Sequence, residues 1–471
     1  MGGSKLLYLV GTLVLSRLLT PEDFGRVAIA TVAITTVMAA TDTGMTTALV
    51  QATVRERVHY DVAWTIGFLR GLIVSTALLL AAHLFALLFG DERAADLVRL
   101  IAFKPLIDSL ASPRAADLIR ELRFSKLAGI GLSAVVVDLG LSIALAPALG
   151  GKAIIVGKLG GAATVTLATY VIAPHRPAFQ LSHSSGIALV AFGRWIFLIG
   201  LTAVAAELLV QVLIARALGV SGLGLYSLAS KFAETPDRLV TEALGAVAFP
   251  LYARLRFDRG RVTAAFRAHF VGVMVLTLPL TALVVALAHP LEEFLLGPAW
   301  SGASPIIMLL ALGFAVAPSF SATSALLKAV GDARRLFMLE LLQYAVLIPS
   351  VYLLAGQFGL AGVGLATIIA SAVIQVAAAR VARLELGFKL IQVLRPAVAL
   401  SVLGVLAGTA AWVSARVVGG AVGVGVGLVV GAAVFVLLLH IADRSLRIGI
   451  RESLSVFFPF LGLARSRAPV Q

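Results

Sequence analysis

Solidly apolar runs of about twenty residues recur from one end of this chain to the other, and they restrict its fold more than any other feature. Ile73–Phe89, Phe270–Leu287 and Ile391–Val413 approach or meet the roughly 20 residues that an α-helix needs to cross a bilayer core. Backbone amides cannot stay unpaired in hydrocarbon, so such runs are either helices or barrel strands. Barrel strands alternate apolar and polar residues over about ten positions. These runs do not alternate, so the chain reads as an all-α polytopic membrane bundle. The composition agrees, with 60% hydrophobic and 13% charged residues.

About fourteen spans are expected: 3–19, 24–50, 61–89, 98–119, 127–148, 152–173, 187–218, 223–250, 264–289, 301–329, 336–356, 360–380, 391–415 and 419–441. Lys5 ahead of the first apolar run resembles the start of a signal peptide. Leu13–Leu19 offers no small-residue cleavage site, so that helix is expected to be retained. Assigning Lys and Arg to alternate sides of these spans gives about 26 on the side of the N-terminus and about 8 opposite. Both termini are therefore expected in the cytoplasm. The net charge of +14 reflects this bias and not nucleic-acid binding.

A faint internal repeat divides the chain. Arg17–Ala30 laid on Arg216–Ala229, an offset of 199, keeps Arg, Leu, Gly and Ala in register. The helix ends Leu88-Phe89-Gly90 and Leu295-Leu296-Gly297 recur likewise. The expected organisation is an N-terminal lobe over 1–173, a cytoplasmic linker over 174–186, a C-terminal lobe over 187–383, two further helices over 384–445 and a basic cytoplasmic tail over 446–471. Each lobe holds six helices, and an even number makes the repeats parallel.

No cysteine is present, which removes disulfides and thiolate chemistry. No HExxH or GxxxxGK[ST] element occurs, and neither Gly151-Lys152-Ala153 nor Gly157-Lys158-Leu159 has the hydroxyl or spacing of a phosphate loop. No cofactor or metal is expected.

Charges inside a bilayer are costly, so they must face the bundle interior or a wet cavity. Arg70, Lys104, Arg194, Lys231 and Arg238 are the candidate anion-binding residues, since Arg and Lys suit a phosphate-bearing head group. The competing reading for Arg194 is snorkelling to lipid phosphates. Asp42, Asp138 and Glu234 are candidates for ion coupling, against the plainer reading of hydrogen-bonded structural carboxylates. On the eighth span, Lys231, Glu234, Arg238 and Glu242 place alternating charges on one face, and Pro236 is expected to bend the helix there. Thr20, Pro21 and Asp23 have the spacing of a helix cap, and Gly419, Gly423, Gly427 and Gly431 that of a close-packing stripe.

Four elements, Ser16–Gly25, Asp42–Gln51, Gly222–Thr235 and Val247–Leu255, resemble the Wzx-type polysaccharide flippases of the multidrug/oligosaccharidyl-lipid/polysaccharide (MOP) exporter superfamily. The resemblance implies two six-helix lobes forming a MATE-like V around a cationic cavity, plus two C-terminal helices. It also implies translocation of an undecaprenyl-pyrophosphate-linked oligosaccharide, with membrane lipids and polymerase or chain-length machinery as partners. The sequence departs from that pattern at its start, where the first helix is shorter than in relatives. The alternatives are a peptidoglycan-precursor flippase or a cation-coupled drug exporter of the same superfamily, and more remotely a membrane glycan polymerase or ligase. The short outer loops disfavour the enzyme.

Overall fold

The computed structural model describes residues 2–41, 57–121, 123–180, 190–255, 257–315, 318–387 and 391–446. Among them the regular structure is helical, apart from short turns. Among the described residues nine helices are long and apolar enough to cross a membrane, or ten if the bent pair Ala303–Ala315 and Phe320–Val330 is one span. The chain is therefore a multi-pass membrane protein. Its contacts form two compact units, Met1–Ser227 and Leu228–Gln471.

In the first unit, α1 (Gly2–Leu18) leads into α2 (Pro21–Ala40), and α3 (Arg57–Phe89) follows. The fourth expected span is not one helix but three: α4 (Ala94–Ile101), α5 (Phe103–Ser109) and α6 (Ala115–Arg120). Pro105 and Pro113 account for the breaks, because neither can donate the bond that would carry a helix through. Next come α7 (Phe124–Leu149) and α8 (Lys152–Ile172), which lie side by side. Gly157 makes that approach possible, since a Cβ there would lie 2.1 Å from Ser142 Oγ and 2.4 Å from the Asp138 carbonyl. Helix α2 ends at Ala40 with Thr41 as its C-cap, and the rest of the expected span, 42–50, lies outside the described residues. Asp42 and the rest of the second family element, through Gln51, lie outside the described residues.

The long helix α9 (Val190–Leu255) is broken at Gly219, whose φ of 76° and ψ of 174° only glycine adopts readily. The break gives the seventh and eighth expected spans. The backbone stays helical through Pro236 and Pro250.

The second unit is built around α10 (Arg259–Pro290), which continues as a π-helical turn over Leu291–Leu296. Then α11 (Ala303–Ala315), α12 (Pro318–Val330), α13 (Ala333–Leu386), α14 (Ile391–Val418) and α15 (Gly420–Leu446) follow. Gly359, at φ 60° and ψ −139°, divides α13 as Gly219 divides α9. Leu244, Tyr252, Phe266, Val273, Leu326 and Leu400 form the core. Within it the Tyr252 hydroxyl lies 2.9 Å from His269 Nδ1. Three of the four stripe glycines pack as expected, for a Cβ on Gly423 would lie 2.5 Å from the Ala415 carbonyl and one on Gly427 2.7 Å from that of Ala411, and Gly431 meets Ala411 and Leu283. Gly419 instead lies in the turn before α15 at φ 69°, with nothing within 4 Å of its Cβ position.

Candidate functional site

The element Ser16–Gly25 folds into a network at one end of the first unit. Thr20 caps α2: its hydroxyl accepts from the Asp23 amide at 3.3 Å, and the Asp23 carboxylate accepts from the Thr20 amide at 3.1 Å. The other oxygen of Asp23 accepts from the Gly151 amide at 2.9 Å, tying α2 to the start of α8. Arg26, one turn on, donates to Asp91 at 2.8 Å and to Glu22 at 3.1 Å. Asp23→Ala removes the cap and the α8 tether together and should cost about 2 kcal/mol. The expected result is a lower unfolding midpoint, with Asp23→Asn losing less.

At the same end the two copies of the repeat meet. A Cβ on Gly25 would lie 2.1 Å from the Val220 carbonyl oxygen, and one on Gly224 would lie 1.7 Å from that of Pro21. Gly25 and Gly224 are equivalent under the 199-residue offset, as are Pro21 and Val220. The contact is therefore reciprocal, with each glycine admitting the carbonyl of its counterpart's helix start. Arg216, the counterpart of Arg17, donates to the carbonyls of Leu88, at 2.7 Å, and Leu87. The other repeated helix end is conformationally equivalent too, since Gly90 and Gly297 both take positive φ, 75° and 99°.

The candidate cations divide between the units. In the first, Arg70 donates to the Met38 carbonyl at 3.0 Å and to the Thr41 hydroxyl at 3.4 Å, so its guanidinium caps the C-terminal end of α2. Lys104 pairs with Asp108 one turn along α5 at 2.6 Å. The structure brings these two residues onto adjoining helices, where Gly71 packs on Pro105 and Ser109. Asp138 is buried and accepts from the Tyr8 hydroxyl at 2.7 Å and from Ser142 at 3.3 Å. Both of its carboxylate oxygens are therefore hydrogen-bonded within the first unit. The side chain of Arg194, like Asp42, lies outside the described residues.

In the second unit Arg238 pairs with Glu234 at 3.4 Å and remains 67% exposed. That realises the expected i,i+4 pairing on α9, and Lys231 is exposed one turn before Thr235, whose hydroxyl donates to its carbonyl. Between α9 and α12 lies a cavity of about 440 Å³ lined by Asp237, Thr241, Glu242, Phe320, Ser324 and Lys328 among others. Among the described residues no cluster of three or more metal-ligating side chains occurs.

Sequence reasoning missed two features. One is the buried pair of Asp61 and His175, 2.9 Å apart, formed because residues 174–180 run extended across the first turns of α3. Asp61 also accepts from the Ala178 amide at 3.0 Å, and Thr65 accepts from the Gln180 amide at 3.0 Å. Phe179 packs edge-on against Trp64 and Phe68. The other is the cavity beside Asp237.

The described helices form a polytopic membrane bundle with charged side chains on apolar helices of both units, and solved structures share its fold. The chain superposes on the lipid II flippase MurJ in an inward closed conformation with TM-score 0.73 and 15% identity, covering 94% of this chain and 97% of that one. A multidrug resistance MATE family transporter of the MOP superfamily, inward-facing, gives TM-score 0.63 and 16% identity over 81% of this chain and 95% of that one. The polysaccharide biosynthesis protein family model matches residues 14–305. The chain belongs to that family, with the fold of the MOP superfamily. It is 30% identical to the succinoglycan biosynthesis transport protein ExoT of Rhizobium meliloti (strain 1021), over 70% of this chain and 67% of that protein. It is 21% identical to the lipopolysaccharide biosynthesis protein WzxC of Escherichia coli (strain K12), over 64% of this chain and 62% of that protein. The teichuronic acid biosynthesis protein TuaB of Bacillus subtilis (strain 168) is 22% identical over 58% of this chain and 57% of its own length.

Proposed function

We propose that this protein is a flippase that carries a polyprenyl-pyrophosphate-linked oligosaccharide from the cytoplasmic to the outer leaflet of the bacterial inner membrane. The observation that carries the reading is the family itself: the relatives are named for succinoglycan transport and for lipopolysaccharide and teichuronic acid biosynthesis, so what they have in common is a saccharide polymer and not one particular sugar. The solved lipid II flippase and multidrug transporter share the fold at 15% and 16% identity and do not select the cargo. Fourteen spans with both termini cytoplasmic, two repeat-related lobes and a transporter rather than an enzyme complete the proposal.

The chemistry follows from the charges. Lipid-linked pyrophosphate is anionic, and Arg70, Lys104, Lys231 and Arg238 supply cations on intramembrane helices that would offset the loss of hydration. The lipid tail stays in the bilayer. The Gly25–Gly224 contact lies on the outer side of the proposed topology, and release to the outer leaflet requires it to part. Polymerase or chain-length machinery would receive the product there.

The test is complementation in a host lacking its own polysaccharide exporter. Expression of this chain should restore surface polymer and deplete the lipid-linked intermediate. Arg238→Gln should lower the rate roughly tenfold, the worth of one charge-assisted hydrogen bond. Arg238 is the clean choice because Arg70 also caps α2. Undiminished export by Arg238→Gln removes that residue from the site, and failure of the wild type to restore polymer in matched hosts contradicts the proposal.

A further inference from the structure

We propose that the cavity between α9 and α12 is a saccharide subsite, which receives the sugar portion of the cargo and not its pyrophosphate. The inference rests on the functional reading above and names the part of the substrate that this cavity contacts. Its walls are two facing stripes. On α9, Asp237, Thr241, Gly245 and Phe249 recur at every fourth residue and so share one helical face, with Glu242 beside them. From α12 come Phe320, Ser321, Ser324 and Lys328.

The chemistry of this lining selects against a phosphate. Two carboxylates stand against one ammonium, so an incoming pyrophosphate meets net repulsion. A neutral or amino sugar meets the opposite. Its hydroxyls donate to carboxylates and exchange bonds with Thr and Ser hydroxyls, and the apolar face of a pyranose packs on an aromatic ring. Phe249 is 47% exposed, which leaves ring surface available for that contact. One acceptor is already waiting: Asp237 Oδ1 is buried with no hydrogen-bond partner among the described residues. Such an atom is costly to leave unsatisfied, and a sugar hydroxyl would satisfy it.

Gly245 adds an independent observation. A Cβ there meets nothing within 4 Å, unlike the glycines at the helix contacts already described. Close packing therefore does not require this glycine. Its missing side chain leaves room within a cavity of about 440 Å³, inside the usual range for a small-ligand pocket.

The open space makes Gly245→Leu a plug that the fold tolerates, and leucine also improves on glycine within a helix. Binding to the full chain in detergent would be measured with two probes, a polyprenyl pyrophosphate bearing a neutral disaccharide and the bare polyprenyl pyrophosphate. The wild type should hold the saccharide probe at least tenfold more tightly. Gly245→Leu and the near-isosteric Asp237→Asn should both lose that preference while holding the bare lipid as the wild type does, with unchanged unfolding midpoints. A preference that survives in Gly245→Leu overturns the proposal, as do equal affinities of the wild type for the two probes. Failure of the wild type to bind either probe overturns the functional reading itself.

Discussion

Replacing Gly224 with valine should open the contact between the starts of α2 and the second half of α9. Even the first side-chain carbon would lie 1.7 Å from the Pro21 carbonyl oxygen, 2.7 Å from its carbon and 3.0 Å from the Gly25 amide nitrogen. All of these are backbone atoms that no rotamer change can move aside. The helix ends must separate by more than an ångström, at a cost on the order of 1–3 kcal/mol or more. The chain contains no cysteine, so one introduced thiol is a specific reporter. Leu19 is 4% exposed, immediately before the α2 cap. A thiol at Leu19→Cys should react slowly with a water-soluble maleimide in the parent chain and at least tenfold faster with Gly224→Val added. Gly25→Val should behave alike, because the contact is reciprocal. Equal labelling in all three chains would show that these glycines do not hold that end shut.

The second large effect is expected at Asp61. Its side chain is 5% exposed, His175 is 3% exposed, and the carboxylate collects His175, the Ala178 amide and, at 3.6 Å, Arg57. Asp61→Ala would strand a buried imidazole and a backbone amide and leave Arg57 without this partner. Breaking a buried pair of this kind costs about 3–5 kcal/mol. The unfolding midpoint of the purified protein should fall by several degrees. Residues 174–180 should also become susceptible to limited proteolysis, since the Thr65 bond, the exposed Arg57 bond to the Arg176 carbonyl and the Phe179 ring contacts would be their remaining anchors. Asp61→Asn keeps an acceptor for the Ala178 amide and should lose less than half as much. If Asp61→Ala matches the wild type in both measurements, the extended segment is not held by this pair.

Much of this architecture could be read from local patterns. Thr20, Pro21 and Asp23 lie within four residues, and their capping box needs no information from elsewhere in the chain. Gly423, Gly427 and Gly431 repeat at helical spacing and pack on Ala411 and Ala415 as such a stripe requires, while Gly419, with nothing within 4 Å, belongs to the turn before α15. The repeat was faint as an alignment, yet it placed Gly25 opposite Gly224, the pair that the structure brings into contact. Features that depend on distant segments were hidden. Asp61 and His175 are 114 residues apart and meet only because the chain leaves α8 extended and returns over α3. The hydrogen bonds that Arg70 makes to the end of α2 were hidden too, because nothing local marks where α2 stops. Asp237 does not stand out in the sequence, because the Glu234–Arg238 spacing dominates that span and the facing cavity wall comes from α12.

The central claim is tested most directly by reconstituting the purified chain in sealed liposomes with a fluorescent polyprenyl-pyrophosphate oligosaccharide, and measuring how much becomes accessible to an impermeant glycosidase or quencher. The account predicts protein-dependent movement of the saccharide-bearing lipid, reduced roughly tenfold by Arg238→Gln. Liposomes holding folded protein in which this lipid crosses no faster than in protein-free vesicles, under imposed sodium or proton gradients as well as without them, would contradict it.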